Sequence, residues 1–322
     1  MADAATGKPP RRRCITSAAA EAMTCAPNCA FAMLSHRGRV RRSNQDACAA
    51  LPEHGAFVVC DGMGGAAGGE VASRLATETF LNCLAQRPST PPDSAAPKPA
   101  ASKSVLTRAT QQPIEVVQPD PVTPARTRLT EAIHAANQVV FRYSLKSPSL
   151  QGMGTTLVAL LWEEAPASST LWIAHVGDSR CYRLRSGSLQ LLTRDHSLVE
   201  EQVRAGVLSR AQASTSPMRN IITRAIGTQS TVEPEIAVGD PQRGDLYLLT
   251  SDGLSRDLDE AAIARILTHS VSPAAFAAVR GGSAQPGLAM QAALDTACQA
   301  LVDAANANGG HDNITVLLLA CS

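Results

Sequence analysis

The chain has 322 residues, 44% of them hydrophobic and 18% charged, with a formal net charge of +1. That length allows one large domain or two ordinary ones. The near-neutral balance gives no reason to expect nucleic acid or an anionic membrane surface as a partner. Aromatic residues make up only 3%, so the core must rest on Leu, Val, Ile and Ala. No apolar run is long enough to span a bilayer. The nine cysteines include no Cys-x-x-Cys pair. They read as reduced, mostly buried thiols of a cytoplasmic protein. A small metal clip at Cys14, Cys25 and Cys29 is the alternative.

In chain order, residues 1–30 read as a disordered tail. The apolar stretch after Arg11–Arg13 is short and broken by Glu21, which is wrong for a signal core. Phe31–Ser35 is predicted as a first strand and Gly55–Cys60 as a second. From Gly68 the periodicity becomes helical, with Val71, Leu75, Ala76, Thr79, Cys83 and Leu84 on one face. Residues 87–125 are rich in Pro, Ser, Thr and Ala and are expected to form a mobile insert, with at most a short local turn or strand at Ile114–Val117. A second helix runs from Arg126, burying Leu129, Ile133, Ala136, Val140 and Tyr143. Thr155–Trp162 and Thr170–Val176 pattern as a hairpin, and Cys181–Leu184 with Leu189–Leu192 as another. Ser197–Gly206 is predicted to be a short helix, opening a surface flap that extends to Thr231. Asp245–Thr250 is a buried strand, Asp259–Leu267 a helix, Ser270–Pro286 a loop, Leu288–Asn306 a long helix, and Ile314–Ala320 the closing strand. Strict strand–helix alternation is absent, which disfavours a doubly wound parallel sheet. The expectation is an α+β fold of two antiparallel sheets with helices outside.

Four of these strands end beside an acid and a glycine. The stretches are Val58-Val59-Cys60-Asp61-Gly62, Val176-Gly177-Asp178, Thr250-Ser251-Asp252-Gly253 and, before the last strand, Gly310-His311-Asp312-Asn313. Carboxylates delivered to one sheet edge suit one or two hard cations, which prefer oxygen ligands. Two carboxylates about 5 Å apart repel by roughly 3 kcal/mol at an effective dielectric of about 20. Such a cluster is therefore a poor structural device without a cation. A Ser-His-Asp arrangement and a cysteine followed by a basic phosphate loop are both missing. His196 and His311, each beside a loop acid, read as orienting or exposed rather than catalytic.

Six motifs occur in order: Arg41-x-x-Asn44-x-Asp46, Asp61-Gly62-x-Gly64-Gly65, Met153-Gly154-Thr155-Thr156, Val176-Gly177-Asp178-Ser179-Arg180, Ser251-Asp252-Gly253 and Asp312-Asn313-Ile314-Thr315. An isolated Asp-Gly pair is a common turn signal, whereas six motifs in register are specific. The chain resembles the metal-dependent serine/threonine phosphatases of the protein phosphatase 2C family, in their bacterial-type form, over roughly residues 31–320. The resemblance implies a four-layer αββα sandwich with two Mn²⁺ or Mg²⁺ ions in a cleft. By position, Asp61 bridges the ions, the Gly62 carbonyl binds one, and Asp252 and Asp312 hold the other. Gln45 and Asp46 act through metal-bound water. Asp178, with Asp252, matches a third-metal site, Arg41 the phosphate-binding arginine (with Arg42 beside it), and Asn313 a supporting hydrogen-bonding residue.

Two departures are visible. Met63 stands where some members have a histidine that serves as a candidate general acid, and Gln45 stands where many have Glu. The implied activity is hydrolysis of phosphoserine and phosphothreonine in proteins by a metal-bound hydroxide, opposing a bacterial-type serine/threonine kinase, in a protein expected to be monomeric. An inactive phosphopeptide-binding module and a phosphatase acting on a transcriptional regulator are the rival readings.

Overall fold

The computed structural model describes residues 29–86, 124–163, 169–271, 276 and 286–321. The tail expected at 1–30 lies outside them but for its last two residues. Nearly all of the insert expected at 87–125, with Ile114–Val117, and most of the 270–286 loop also lie outside them.

Two apolar runs with both faces buried set the architecture. In β3 (Ala56–Met63), alternate side chains point to opposite faces of a sheet. Val58 and Cys60 meet helices, while Phe57 and Val59 meet the other sheet. In the closing strand β11 (Ile314–Cys321), Val316, Leu318 and Ala320 face helices and Leu317 and Leu319 face the sheet interior. The result is three apolar layers between four layers of secondary structure, as the αββα expectation required.

One sheet has the order β1–β11–β10–β7–β8, with β1 Cys29–His36, β7 Arg180–Arg185, β8 Ser188–Leu191 and β10 Leu246–Thr250. The second runs β2–β3–β5–β6–β9, with β2 Asp46–Leu51, β5 Leu157–Glu163, β6 Thr170–Val176 and β9 Glu235–Gly239. A two-residue strand β4 (Gly154–Thr155) pairs with the end of β3. Every pairing is antiparallel, including both expected hairpins, β5–β6 and β7–β8.

Helices α1 (Gly65–Ala85) and α2 (Pro124–Ser144) cover the second sheet. The first sheet is covered by α5 (Asp252–Asp257), α6 (Glu260–Ser270) and α7 (Pro286–Ala307). Between β8 and β9 lie two short helices, α3 (Leu198–Arg204) and α4 (Arg210–Thr215), where the flap was expected.

Several expectations need correction. Strand β2 was not predicted: Asp46-Ala47-Cys48-Ala49-Ala50-Leu51 is small and alanine-rich, and lacks the β-branched and aromatic residues that mark strands. Its order comes from pairing with β3. The buried face of α1 is Ala72, Ala76, Phe80 and Leu84, one position round from the predicted stripe. Val71, Leu75 and Cys83 are only partly buried, because α1 packs against both a sheet and α2 and so has two apolar flanks. Tyr143 is 37% exposed rather than part of the α2 core face. Among the described cysteines, Cys60, Cys83, Cys181, Cys298 and Cys321 are free thiols as expected. Cys48, by contrast, is disulfide-bonded. Sequence spacing gave no signal for that pairing.

Candidate metal centre at the sandwich edge

Each sheet delivers acids to the same edge. Asp46 begins β2 and faces Asp61, near the end of β3, directly across the antiparallel ladder. Like charges opposed in that way destabilise a sheet. Asp252 starts α5 immediately after β10, and Asp312 precedes β11, the neighbour of β10. Asp178 lies in the crossing from β6 to β7, where the chain passes from one sheet to the other. The structure thus brings together all five predicted acids.

Two glycines allow this convergence. A Cβ on Gly253 would lie 2.0 Å from the Asn313 carbonyl oxygen, so the backbones carrying Asp252 and Asp312 touch only because residue 253 has no side chain. A Cβ on Gly62 would lie 2.1 Å from the Gly69 carbonyl oxygen and 2.5 Å from that of Gln45. Gly253→Ala is therefore expected to cost at least about 2 kcal/mol. A lower Tm and weaker divalent-cation binding by titration calorimetry would register it.

Burial is the largest cause of the upward pKa shifts of Asp46, Asp61, Asp178 and Asp252. It pushes the Asp46 and Asp178 carboxyls up to about 7, assisted in both by the negative charge of Asp252. At Asp46, hydrogen bonds from Thr315 and Ser251 pull the other way. Asp61 is raised well above the ordinary carboxylate range by burial and then by Asp46, Asp252, Asp178 and Asp312. Asp252 is also raised, with Arg256 opposing the shift.

The donor set passes a direct test for a hard divalent cation. Asp46 Oδ1 and Asp178 Oδ1 are buried with no hydrogen-bond partner. Such an orphan is costly in a native interior, and a cation removes the cost. Oxygen-only ligands match Mg²⁺ or Mn²⁺ rather than a thiolate-seeking metal.

The remaining predicted residues frame the acids. Asn313 is saturated: its Oδ1 accepts from the Gln45 N–H at 2.8 Å, and its Nδ2 donates to the carbonyls of Arg37 and Ser43 at 2.9 Å each. It thereby ties the 37–45 loop to the start of β11. The Gln45 side chain donates to the Gly65 carbonyl at 2.8 Å and braces the start of α1. Arg41, half exposed, pairs with Asp312 Oδ2 at 2.6 Å.

His196 is buried, accepts from the Gly177 N–H at 3.2 Å and stacks on His175 at 4.7 Å. His311 pairs with Asp257 at 2.6 Å.

Sequence reasoning missed two residues. Ser251 Oγ donates to Asp46 Oδ2 at 2.8 Å and accepts from the Thr315 N–H at 3.0 Å, linking the sheets at the site. Arg256 donates to Asp252 Oδ2 at 2.5 Å and to Asp312 Oδ2 at 3.0 Å. A helix beginning at Asp252 would have exposed that i,i+4 pair in the sequence, but no helix was predicted between Thr250 and Asp259. Beside the acids a cleft of about 440 Å³ opens toward the flap, with Asp178, Arg180, Asp252, Arg256, Arg210 and Arg219 in its walls.

Comparison with known proteins places the chain in a family. Residues 35–297 match the family described as protein phosphatase 2C. The serine/threonine phosphatase stp of Listeria innocua is 32% identical over 286 residues, 88% of this chain and 92% of that protein. The Streptococcus agalactiae serine/threonine phosphatase structure superposes with a TM-score of 0.69 at 29% identity, covering 91% of this chain and 100% of that one. The catalytic domain of the serine/threonine phosphatase PstP, solved with two manganese ions, gives a TM-score of 0.65 at 27% identity over 91% of this chain and 98% of that one. The chain belongs to the protein phosphatase 2C family.

Proposed function

We propose that the chain removes phosphate from phosphoserine and phosphothreonine in proteins, with Mn²⁺ or Mg²⁺ held by Asp46, Asp61, Asp178, Asp252 and Asp312 and by the Gly62 carbonyl. The observation that carries this reading is the pair of buried, unpartnered oxygens on Asp46 and Asp178 within a five-carboxylate cluster. Phosphomonoesters are among the slowest bonds to hydrolyse, needing up to about 10²¹-fold acceleration. Two divalent cations supply charge neutralisation for the phosphate and bring the pKa of a water molecule near neutrality.

The chain's own residues do the rest. Asp61 from the second sheet and Asp252 from the first bring acids of both sheets to one point, where the charge of Asp252 helps raise the Asp61 carboxyl. Asn313 and Ser251 fix the backbone on which those acids stand. Arg41 presents a planar fork at the exposed rim, suited to two charge-assisted hydrogen bonds to a phosphate. It is the better candidate than its neighbour Arg42, because its guanidinium reaches the acid cluster. Met63 offers no proton, and His196 and His311 are committed elsewhere, so the leaving serine or threonine oxygen takes its proton from water.

Arg41→Ala is expected to raise KM for a phosphothreonine peptide about tenfold, in line with the loss of a charged hydrogen bond, with a smaller change in kcat. Steady-state kinetics on both variants at position 41 and 42 check this, and an unchanged KM in Arg41→Ala moves the role to Arg42. We also assign the enzyme to opposing a bacterial-type serine/threonine kinase, as a monomer. Likeness to bacterial serine/threonine phosphatases supports the first assignment. Phosphoproteomics of a deletion strain tests that assignment, and sedimentation tests the monomer.

A further inference from the structure

The acid cluster already contains a cation of the chain's own. Arg256 sits one helical turn beyond Asp252 on α5, with its Nη2 2.5 Å from Asp252 Oδ2 and its Nη1 3.0 Å from Asp312 Oδ2. Asp312 Oδ2 accepts from Arg41 as well, at 2.6 Å, and Asp312 Oδ1 accepts from the Asn313 N–H at 2.9 Å. An ionised carboxylate has about four lone-pair sites. The two arginines therefore take both lone-pair sites of Asp312 Oδ2, and Arg256 spans the two acids that come from the first sheet. The acids of the second sheet side differ: Asp46 and Asp178 each keep a bare buried oxygen.

We infer that Arg256 is a built-in counter-ion for the metal-free site, which a divalent ion must displace from Asp252 and Asp312 before it binds there. The inference rests on the proposed metal-dependent function. A guanidinium and a divalent ion compete for the same oxygens and repel each other at the distances involved. The guanidinium makes the metal-free protein stable at the cost of metal affinity.

Displacement has somewhere to go. Arg256 is partly exposed, lies 3.4 Å from Asn220 of the flap, and forms part of the wall of the cleft that also holds Arg210 and Arg219. Its partner acids are then neutralised by the ion, so the Arg256 charge already in the cleft wall is left uncompensated. Arg41 and Arg256 differ in this respect. Arg41 touches one acid and stands at the rim, while Arg256 bridges two.

The test is Mn²⁺ binding to substrate-free protein by titration calorimetry, for the wild type, Arg256→Met, which keeps most of the aliphatic stem, and Arg256→Lys. The expected result is at least about tenfold tighter binding of one ion in Arg256→Met, with Arg256→Lys between that variant and the wild type. In parallel, the Tm in EDTA should fall in Arg256→Met, while the Tm in saturating Mn²⁺ stays near that of the wild type. Equal or weaker Mn²⁺ binding in Arg256→Met overturns the inference and leaves the phosphatase reading standing. A Tm loss of equal size in EDTA and Mn²⁺ also overturns it, because it makes Arg256 a structural residue in both states. No Mn²⁺ binding by any of the three proteins overturns the functional reading and this inference together.

Discussion

Asp61→Asn is expected to abolish hydrolysis of a phosphothreonine peptide while stabilising the metal-free protein. The two effects have one cause. The Asp61 carboxyl is held by burial and by four neighbouring acids in a place where ionisation is unfavourable without cations. Its charge is useful only to hold ions, so its neutral isostere removes the metal site and relieves the repulsion. A single pair of carboxylates about 5 Å apart costs roughly 3 kcal/mol at a dielectric near 20. A gain of even one-third of that raises Tm by about 2–4 °C in a domain of this class. The loss in kcat should be at least about 10³-fold, since removing a charge-stabilising group from a preorganised site costs that order. Activity assays and calorimetry in EDTA at pH 8 check both arms. Near-normal turnover in Asp61→Asn contradicts the site assignment, and lost turnover with a lower metal-free Tm makes Asp61 a structural acid instead.

The second large effect is a pH-dependent response to metal. Asp46 and Asp178 titrate near 7 in the metal-free fold, against 3.8 for the ordinary group. A raised folded-state pKa means that the folded, metal-free protein holds more protons than the unfolded chain between about pH 4 and pH 7. The stability from these groups is fully present below pH 4 and is lost as pH rises through 7. His196 works in the other direction: burial pushes it down to about 4, so its contribution is present above its ordinary value and lost as pH falls. Divalent ions favour ionised carboxylates, and their binding displaces protons from them. The difference in Tm between Mn²⁺ and EDTA therefore isolates the acids. It should be larger at pH 8 than at pH 5.5 by at least about 5 °C, given about 1.4 kcal/mol per pKa unit for each group. Scanning calorimetry at the two pH values reads it directly, and a difference that is flat or grows toward acid contradicts the account.

The strands with both faces buried were legible in sequence because they are continuous apolar runs: β3, β5, β6, β10 and β11 each read that way. So were Asp61, Asp178, Asp252 and Asp312, because each sits where such a run meets a glycine, whereas Asp46 was read only from the family resemblance. The edge elements were not. β2 is alanine-rich and β9 is an exposed edge strand with Val238 half exposed, so neither has a hydrophobic pattern of its own. Their structure comes from pairing with β3 and β6. The short helix α5 was hidden for a related reason. Asp252-Gly253-Leu254-Ser255-Arg256-Asp257 reads as a polar turn, and packing of Leu254 into the core decides its conformation. Missing α5 meant missing Arg256, the residue that most distinguishes how this chain handles its metal-free site. The role of Ser251 depended on contacts between the sheets, which no local pattern encodes, while that of Asn313 was read from the family resemblance rather than from a local pattern.

The most direct measurement is hydrolysis of p-nitrophenyl phosphate and a phosphothreonine peptide by the purified full chain in EDTA, Mg²⁺ or Mn²⁺, with Asp61→Asn alongside. Turnover of both substrates that requires Mn²⁺ or Mg²⁺ and vanishes in the variant is the predicted result. Turnover that persists in EDTA, or folded protein that binds the phosphopeptide with no turnover in any metal, would contradict it.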